Sequence, residues 1–170
     1  LRPTIQVELA HARLRLPAVR LPVSSFVAEA FGRAPEVAAM LCVSVSETAA
    51  EKLVSLTRRT AMELRGLSRA SDPNLVRHIY DLHAIHAHID RAAVVELARS
   101  IARADAEEFA NQYPAYVKDI AGETHYACAA LLSDPAIRER YAQFASDMVY
   151  GSNVDFDTAV KVTAALVNEA

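Results

Sequence analysis

Residues 44–67 read SVSETAAEKLVSLTRRTAMELRGL, and their spacing decides the fold class. Ser44 stands three residues before Glu47, the spacing of a capping box, in which the two side chains satisfy free N–H groups at a helix start. Leu53, Leu56, Thr60, Leu64 and Leu67 then fall at i, i+3, i+7, i+11 and i+14, which lines them along one face and gives the helix a side to bury. Gly66 is expected to end it. A polar connection over 68–74 follows, where Ser71-Asp72-Pro73 predicts the start of the next helix. Leu75, Ile79, Leu82, Ile85 and Ile89 repeat the 3–4 spacing on that helix.

Downstream, the pattern predicts helices over about 92–112, 135–150 and 157–168, with Tyr141, Phe144 and Met148 on one apolar face. Upstream, it changes period. Residues 4–10, TIQVELA, alternate apolar with polar, so Ile5, Val7 and Leu9 share one strand face while Gln6 and Glu8 share the other. A second strand is expected over 13–16 and a third, buried one over 40–43; between them Pro17 and Pro22 punctuate the chain. Ser24-Ser25 is placed to cap a short helix that runs through Phe31 and stops at Gly32. The expected fold is therefore α+β and mostly helical: strands in 1–45, then a helical domain over 46–170.

The 170 residues suffice for one sizeable core, and the first residue, Leu1 rather than Met, fits a trimmed or partial chain. Hydrophobic residues make up 52% and charged residues 23%, with no apolar run near the roughly 20 residues of a membrane span and no secretory signal. Cys42 and Cys128 are too isolated for a disulfide framework or zinc ligands, so a reducing cytoplasm is the expected compartment. The net charge of -3 argues against binding nucleic acid over the whole surface, yet Arg58, Arg59, Arg65 and Arg69 stand together against one Glu63, so a local basic face remains open.

Residues 76–90, VRHIYDLHAIHAHID, hold four of the six histidines. On a helix His83 can meet His86, and His86 can meet Asp90, but His88 points elsewhere. At most three ligands share a face, without HExxH or a cysteine pair, and solvated histidines are the simpler reading. Arg77 and Asp81 stand at i, i+4, which permits an ion pair. On the preceding helix Lys52, Ser55 and Arg59 lie within about 60° of one another around the axis. Such a stripe suits a triphosphate, each cation meeting a different phosphoryl group, and suits equally a solvated face.

Three segments, TIQVELA (4–10), SVSETAAEKLVSLTRR (44–59) and RHIYDLHAI (77–85), resemble in order and spacing the C-terminal part of the AbiEii/AbiGii-type nucleotidyltransferase toxins of bacterial abortive-infection and toxin–antitoxin systems. The second resembles the family's Lys-x-x-Ala-x-x-x-Arg motif, with Lys52 and Arg59 in place and Ser55 where Ala is usual. The third resembles its Arg-Asp-x-x-Asp-Leu motif: Arg77, Asp81 and Leu82 match, and His78 replaces the first Asp. The resemblance implies that residues 1–45 belong to a nucleotidyltransferase-like sheet. It also implies transfer of a nucleotidyl group from a nucleoside triphosphate to an acceptor such as the 3′ end of a tRNA, with magnesium as cofactor and a cognate antitoxin as partner.

In that scheme Lys52 and Asp81 are the catalytic candidates, Arg59, Arg77 and Ser55 bind substrate, and Glu8 is a candidate metal ligand. No Gly-Ser turn with its Asp-x-Asp pair precedes Glu8, so these 170 residues alone are expected not to catalyse transfer. Residues 151–157, GSNVDFD, imitate both parts, but only Asn153 and Val154 separate Ser152 from Asp155 where the family has about ten residues; Asp155 and Asp157 are expected to begin the last helix instead. The competing expectation is a non-catalytic helical module that binds RNA, an antitoxin or itself. A metal-dependent hydrolase built on the histidine helix is a third.

Overall fold

The computed structural model of the chain describes residues 14–68, 70–151 and 153–170. The expected strand over 4–10, with Glu8, lies outside the described residues, as do Arg69 and Ser152. The chain divides into two compact units between Ser44 and Val45.

In the first unit, β1 (Val19–Val23) pairs antiparallel with β2 (Val37–Cys42) around α1 (Phe26–Ala30). The ladder is regular from Val19↔Cys42 to Leu21↔Met40 and then shifts before Val23↔Val37. Pro22 sits in the shift: it has no N–H to give, so the pairing steps around it. Two expectations are corrected here. Residues 14–16 form no strand, which comes only after Pro17, and Pro22 is absorbed into β1 as its irregularity. The strand expected over 40–43 begins at Val37, and Met40, Leu41 and Val43 are exposed, because among the described residues each strand of the ribbon has a single neighbour. Ser25 does cap α1: its oxygen accepts from the Ala28 N–H at 3.1 Å while its hydroxyl and N–H donate to Glu36. Gly32, at φ +61°, takes the left-handed turn that ends the helix.

In the second unit α2 (Val45–Leu64) packs against α3 (Arg77–Ile85), α4 (Arg91–Glu108) and α6 (Ile120–Ser133). Leu53, Leu56 and Thr60 are buried as the spacing predicts; Leu64 and Leu67 emerge into solvent. Gly66 is at φ +68°, the Leu67 N–H reaches the Met62 carbonyl, and the Gly66 N–H reaches that of Glu63, a complete Schellman ending. Residues 73–76 wind into α3 as turns, and a single 3-10 turn over His86–His88 follows it. Ile79 and Leu82 of α3 are fully buried. The last helix, α8 (Phe156–Glu169), packs on α3 and α6 and is capped by Asp155, whose carboxylate accepts from the Thr158 N–H at 2.9 Å. Tyr141 and Phe144 of α7 (Pro135–Met148) are buried, but Met148 is 69% exposed.

Two helices were not visible in the apolar pattern: α5 (Pro114–Lys118) and α6. The α6 sequence, IAGETHYACAALLS, is apolar nearly all round and carries Gly122, so no stripe marks it. Its Gly has a local reason, since a Cβ at 122 would lie 2.1 Å from the Asp119 carboxylate that caps the helix.

Candidate active site

Lys52 and Asp81 are 29 residues apart in sequence, and the packing of α3 on α2 brings them together: Lys52 Nζ donates to Asp81 Oδ2 at 2.6 Å. Both side chains are about three-quarters covered, so the pair stands at a surface rather than in the core. Arg77, one turn back on α3, holds its Nε 3.9 Å from the same carboxylate oxygen, an ion-pair contact too long for a hydrogen bond. The i, i+4 pair read from sequence is therefore present, but secondary to Lys52. Arg59 Nη2 donates to Asp72 Oδ2 at 2.6 Å in the connection before α3, which places it two turns of α2 from Lys52. Ser55 lies between the two cations along the helix and is half-buried.

His78 is the residue whose importance the spacing did not reveal. Its side chain is almost wholly covered, its Nδ1 stands 4.0 Å from Asp81 Oδ2, and that nitrogen is buried without a hydrogen-bond partner. Burial first, and then the positive charge of Lys52, lower the imidazole pKa to about 4 despite the pull of Asp81. The site thus gathers Lys52, Arg77 and one carboxylate beside a ring that is neutral at neutral pH. The signal was present in sequence as the replacement of a carboxylate by His; what it lacked was the neighbour across the helix pair.

Arg58 and Arg65 of the basic segment are committed elsewhere. Arg58 Nε donates to Asp105 at 2.8 Å and its guanidinium lies 4.1 Å from the centre of the Phe109 ring. Arg65 grips both oxygens of Glu123 and covers the Tyr126 ring. These two tie α2 to α4 and α6, although the Arg65 side chain stays partly exposed. His83 and His86 do meet, with ring centres 5.1 Å apart. Among the described residues no three or more histidine, cysteine or acidic side chains converge to hold a metal ion. Among them, too, no helix is long and apolar enough to cross a membrane.

The donor set around Lys52 does not fit magnesium. Asp81 is bonded to the Lys52 ammonium and Asp72 to Arg59, whereas the ion needs oxygen ligands in octahedral array. What the cluster offers is cationic hydrogen-bond donors, suited to phosphate. A family model described as nucleotidyl transferase AbiEii toxin, Type IV TA system, matches residues 1–162. Comparison with curated proteins and with solved structures finds no match.

Proposed function

The chain belongs to the AbiEii nucleotidyl transferase toxin family, and on that premise we propose that the cluster on α2 and α3 is the phosphate-facing part of a site that transfers a nucleotidyl group from a nucleoside triphosphate to an acceptor, tRNA being the acceptor class. The observation that carries the reading is the Lys52–Asp81 contact, which aims an ammonium from one helix with a carboxylate from the next and leaves Arg77 beside it loosely held.

Chemically, the step needs positive charge where the leaving pyrophosphate develops its negative charge. Lys52 supplies it. Asp81 fixes the Lys52 side chain before substrate arrives, and when the ammonium turns to phosphate the freed carboxylate can accept the acceptor hydroxyl's proton. Arg77 can swing from its long contact onto a second phosphoryl group, while Arg59, tied to Asp72 at the far end of the stripe, meets the remaining phosphate. The Ser55 hydroxyl adds a neutral donor between them. Neutral His78 closes the floor without competing for the anion or adding to the repulsion between cations.

Magnesium, which the family resemblance implies, would when bound stabilise the attacking and leaving oxygens, held by carboxylates other than the Lys52-paired Asp81. A cognate antitoxin is the protein partner that the family reading carries. Transfer of labelled nucleotide to tRNA, measured on the full-length protein with and without Lys52→Ala, tests the proposal. A loss of about 100-fold or more is expected, with the melting temperature changed by no more than about 5 °C. Unchanged transfer removes Lys52 from the mechanism, and a site built on it with it.

A further inference from the structure

Three side chains stand close to Asp81 Oδ2: Lys52 Nζ at 2.6 Å, Arg77 Nε at 3.9 Å and His78 Nδ1 at 4.0 Å. When a triphosphate enters the proposed site, the ammonium and the guanidinium both turn to it, because each gains a charge-assisted bond there. The carboxylate, whose side chain is only 26% exposed, is then left without either cation. A partly buried acceptor that loses its partner bears the cost of its desolvation. Of the three neighbours, His78 is the one that stays.

Its place on α3 suits it to that task. His78 and Asp81 are three residues apart on the helix, so their side chains share a face. The His78 side chain is 13% exposed, and its Nδ1 is buried without a hydrogen-bond partner. The 4.0 Å gap is about 1 Å longer than a hydrogen bond, and a small rotation of either side chain closes it once Lys52 has let go of the oxygen. Burial and the charge of Lys52 keep the imidazole neutral, so no charge draws it after the cations onto the phosphates. A neutral imidazole still carries one N–H; with that proton on Nδ1, the ring is a donor aimed at the carboxylate.

Resting on the function proposed above, we infer that His78 is a positioning residue that takes over Asp81 from Lys52 when the ammonium moves to the triphosphate. The exchange leaves the carboxylate ionised and fixed in direction. The His78 N–H donates to one carboxylate oxygen, and the other oxygen receives the proton of the acceptor hydroxyl. The acceptor oxygen bonds to the α-phosphorus as the bond from that phosphorus to pyrophosphate breaks, and the electron pair leaves with the pyrophosphate that Lys52 holds. His78 keeps its own proton throughout and touches no substrate.

The test compares kcat/KM for transfer of labelled nucleotide by the full-length protein, per folded molecule, with that of His78→Ala, His78→Asn, Lys52→Ala, Asp81→Asn and the double variant His78→Ala/Asp81→Asn. His78→Ala should lower kcat/KM about tenfold, the worth of one hydrogen bond to a charged group. His78→Asn, which keeps an amide N–H near the place of Nδ1, should return to within about threefold of the parent. In the Asp81→Asn background, His78→Ala should cost less than about twofold, because no carboxylate is left to hold. A histidine that merely supports the fold would cost the same in both backgrounds and would not be rescued by Asn. Either of those results overturns the assignment, as does a parental kcat/KM for His78→Ala while Lys52→Ala and Asp81→Asn are impaired. Parental transfer by both Lys52→Ala and Asp81→Asn is a different failure: it removes the site itself, and the role of His78 with it.

Discussion

Near the middle of α2, Lys52 reaches Asp81 of α3; just past its C-terminal end, Arg65 reaches Glu123 of α6. Both contacts join a cation on α2 to a carboxylate far along the chain, yet they are completed differently. Glu123 is 7% exposed, accepts from Arg65 on both oxygens and also from the Tyr113 hydroxyl, and its pKa is held low by Arg65 despite its burial. Tyr113 is in turn fully buried and stacked on Tyr116. Around Asp81 one short bond is accompanied by a long contact to Arg77 and by a buried ring nitrogen with no partner. The Glu123 cluster has used its hydrogen-bonding capacity on the fold, whereas the Asp81 cluster has kept capacity for something else. Such incompleteness is costly in a structural network and useful in a binding site.

The largest expected effect follows from that contrast. Lys52→Ala should reduce transfer by the factor of about 100 or more given above while changing unfolding free energy by no more than about 1 kcal/mol, the scale of a partly exposed ion pair. Glu123→Ala should do the reverse. It orphans the buried Tyr113 hydroxyl, so urea unfolding should show a loss of about 2 kcal/mol, with transfer per folded molecule preserved. If Glu123→Ala leaves stability untouched, or Lys52→Ala unfolds the protein, the division between the two clusters is wrong.

A smaller effect separates the clusters by pH. The His78 pKa of about 4 in the folded chain lies below the usual 6.5, so between these values the unfolded chain binds more protons. Its contribution to stability is therefore complete above pH 6.5, falls as pH drops toward 4, and levels off below that. Lys52, Arg77 and Arg59 reinforce this sign and Asp81 opposes it. His78→Gln should remove the contribution, so the difference between parent and variant should slope by at most about 1.4 kcal/mol per pH unit across that window. Parallel stability curves for the two proteins would mean that His78 is not buried in its neutral form.

Much of this contrast could be read in sequence on one side only. Periodicity located α2 and α3, and the resemblance selected Lys52, Arg59, Arg77 and Asp81 before any contact was known. Local chemistry also identified the ends: Ser25, Gly66 and Asp155 act within a few residues of where they stand. What spacing could not supply was pairing over distance. Glu123 is 58 residues from Arg65, on a helix too evenly apolar to show a stripe, and Asp105 is 47 residues from Arg58. In sequence Arg58 and Arg65 therefore resemble an open basic face, because Asp105 and Glu123 lie too far along the chain to be paired with them by spacing. His78 illustrates the same limit, because whether a helical histidine is solvated or desolvated depends on the neighbouring helix.

Ser55 gives the smallest and most discriminating expectation. It occupies the position where the family usually carries Ala, between the two cations of the α2 stripe, so Ser55→Ala changes one hydroxyl and no charge. Ala is the better helix former by a few tenths of a kcal/mol, and the variant should be at least as stable as the parent. If the hydroxyl donates to a phosphate, the KM for the nucleotide should rise about two- to fivefold with kcat retained, the signature of an interaction made equally in ground and transition states. A fall in kcat with unchanged KM would instead place Ser55 against the reacting centre. No change in either would reduce the substrate stripe to Lys52 and Arg59, two turns apart on α2, with Arg77 as the only further cation proposed to meet the phosphates.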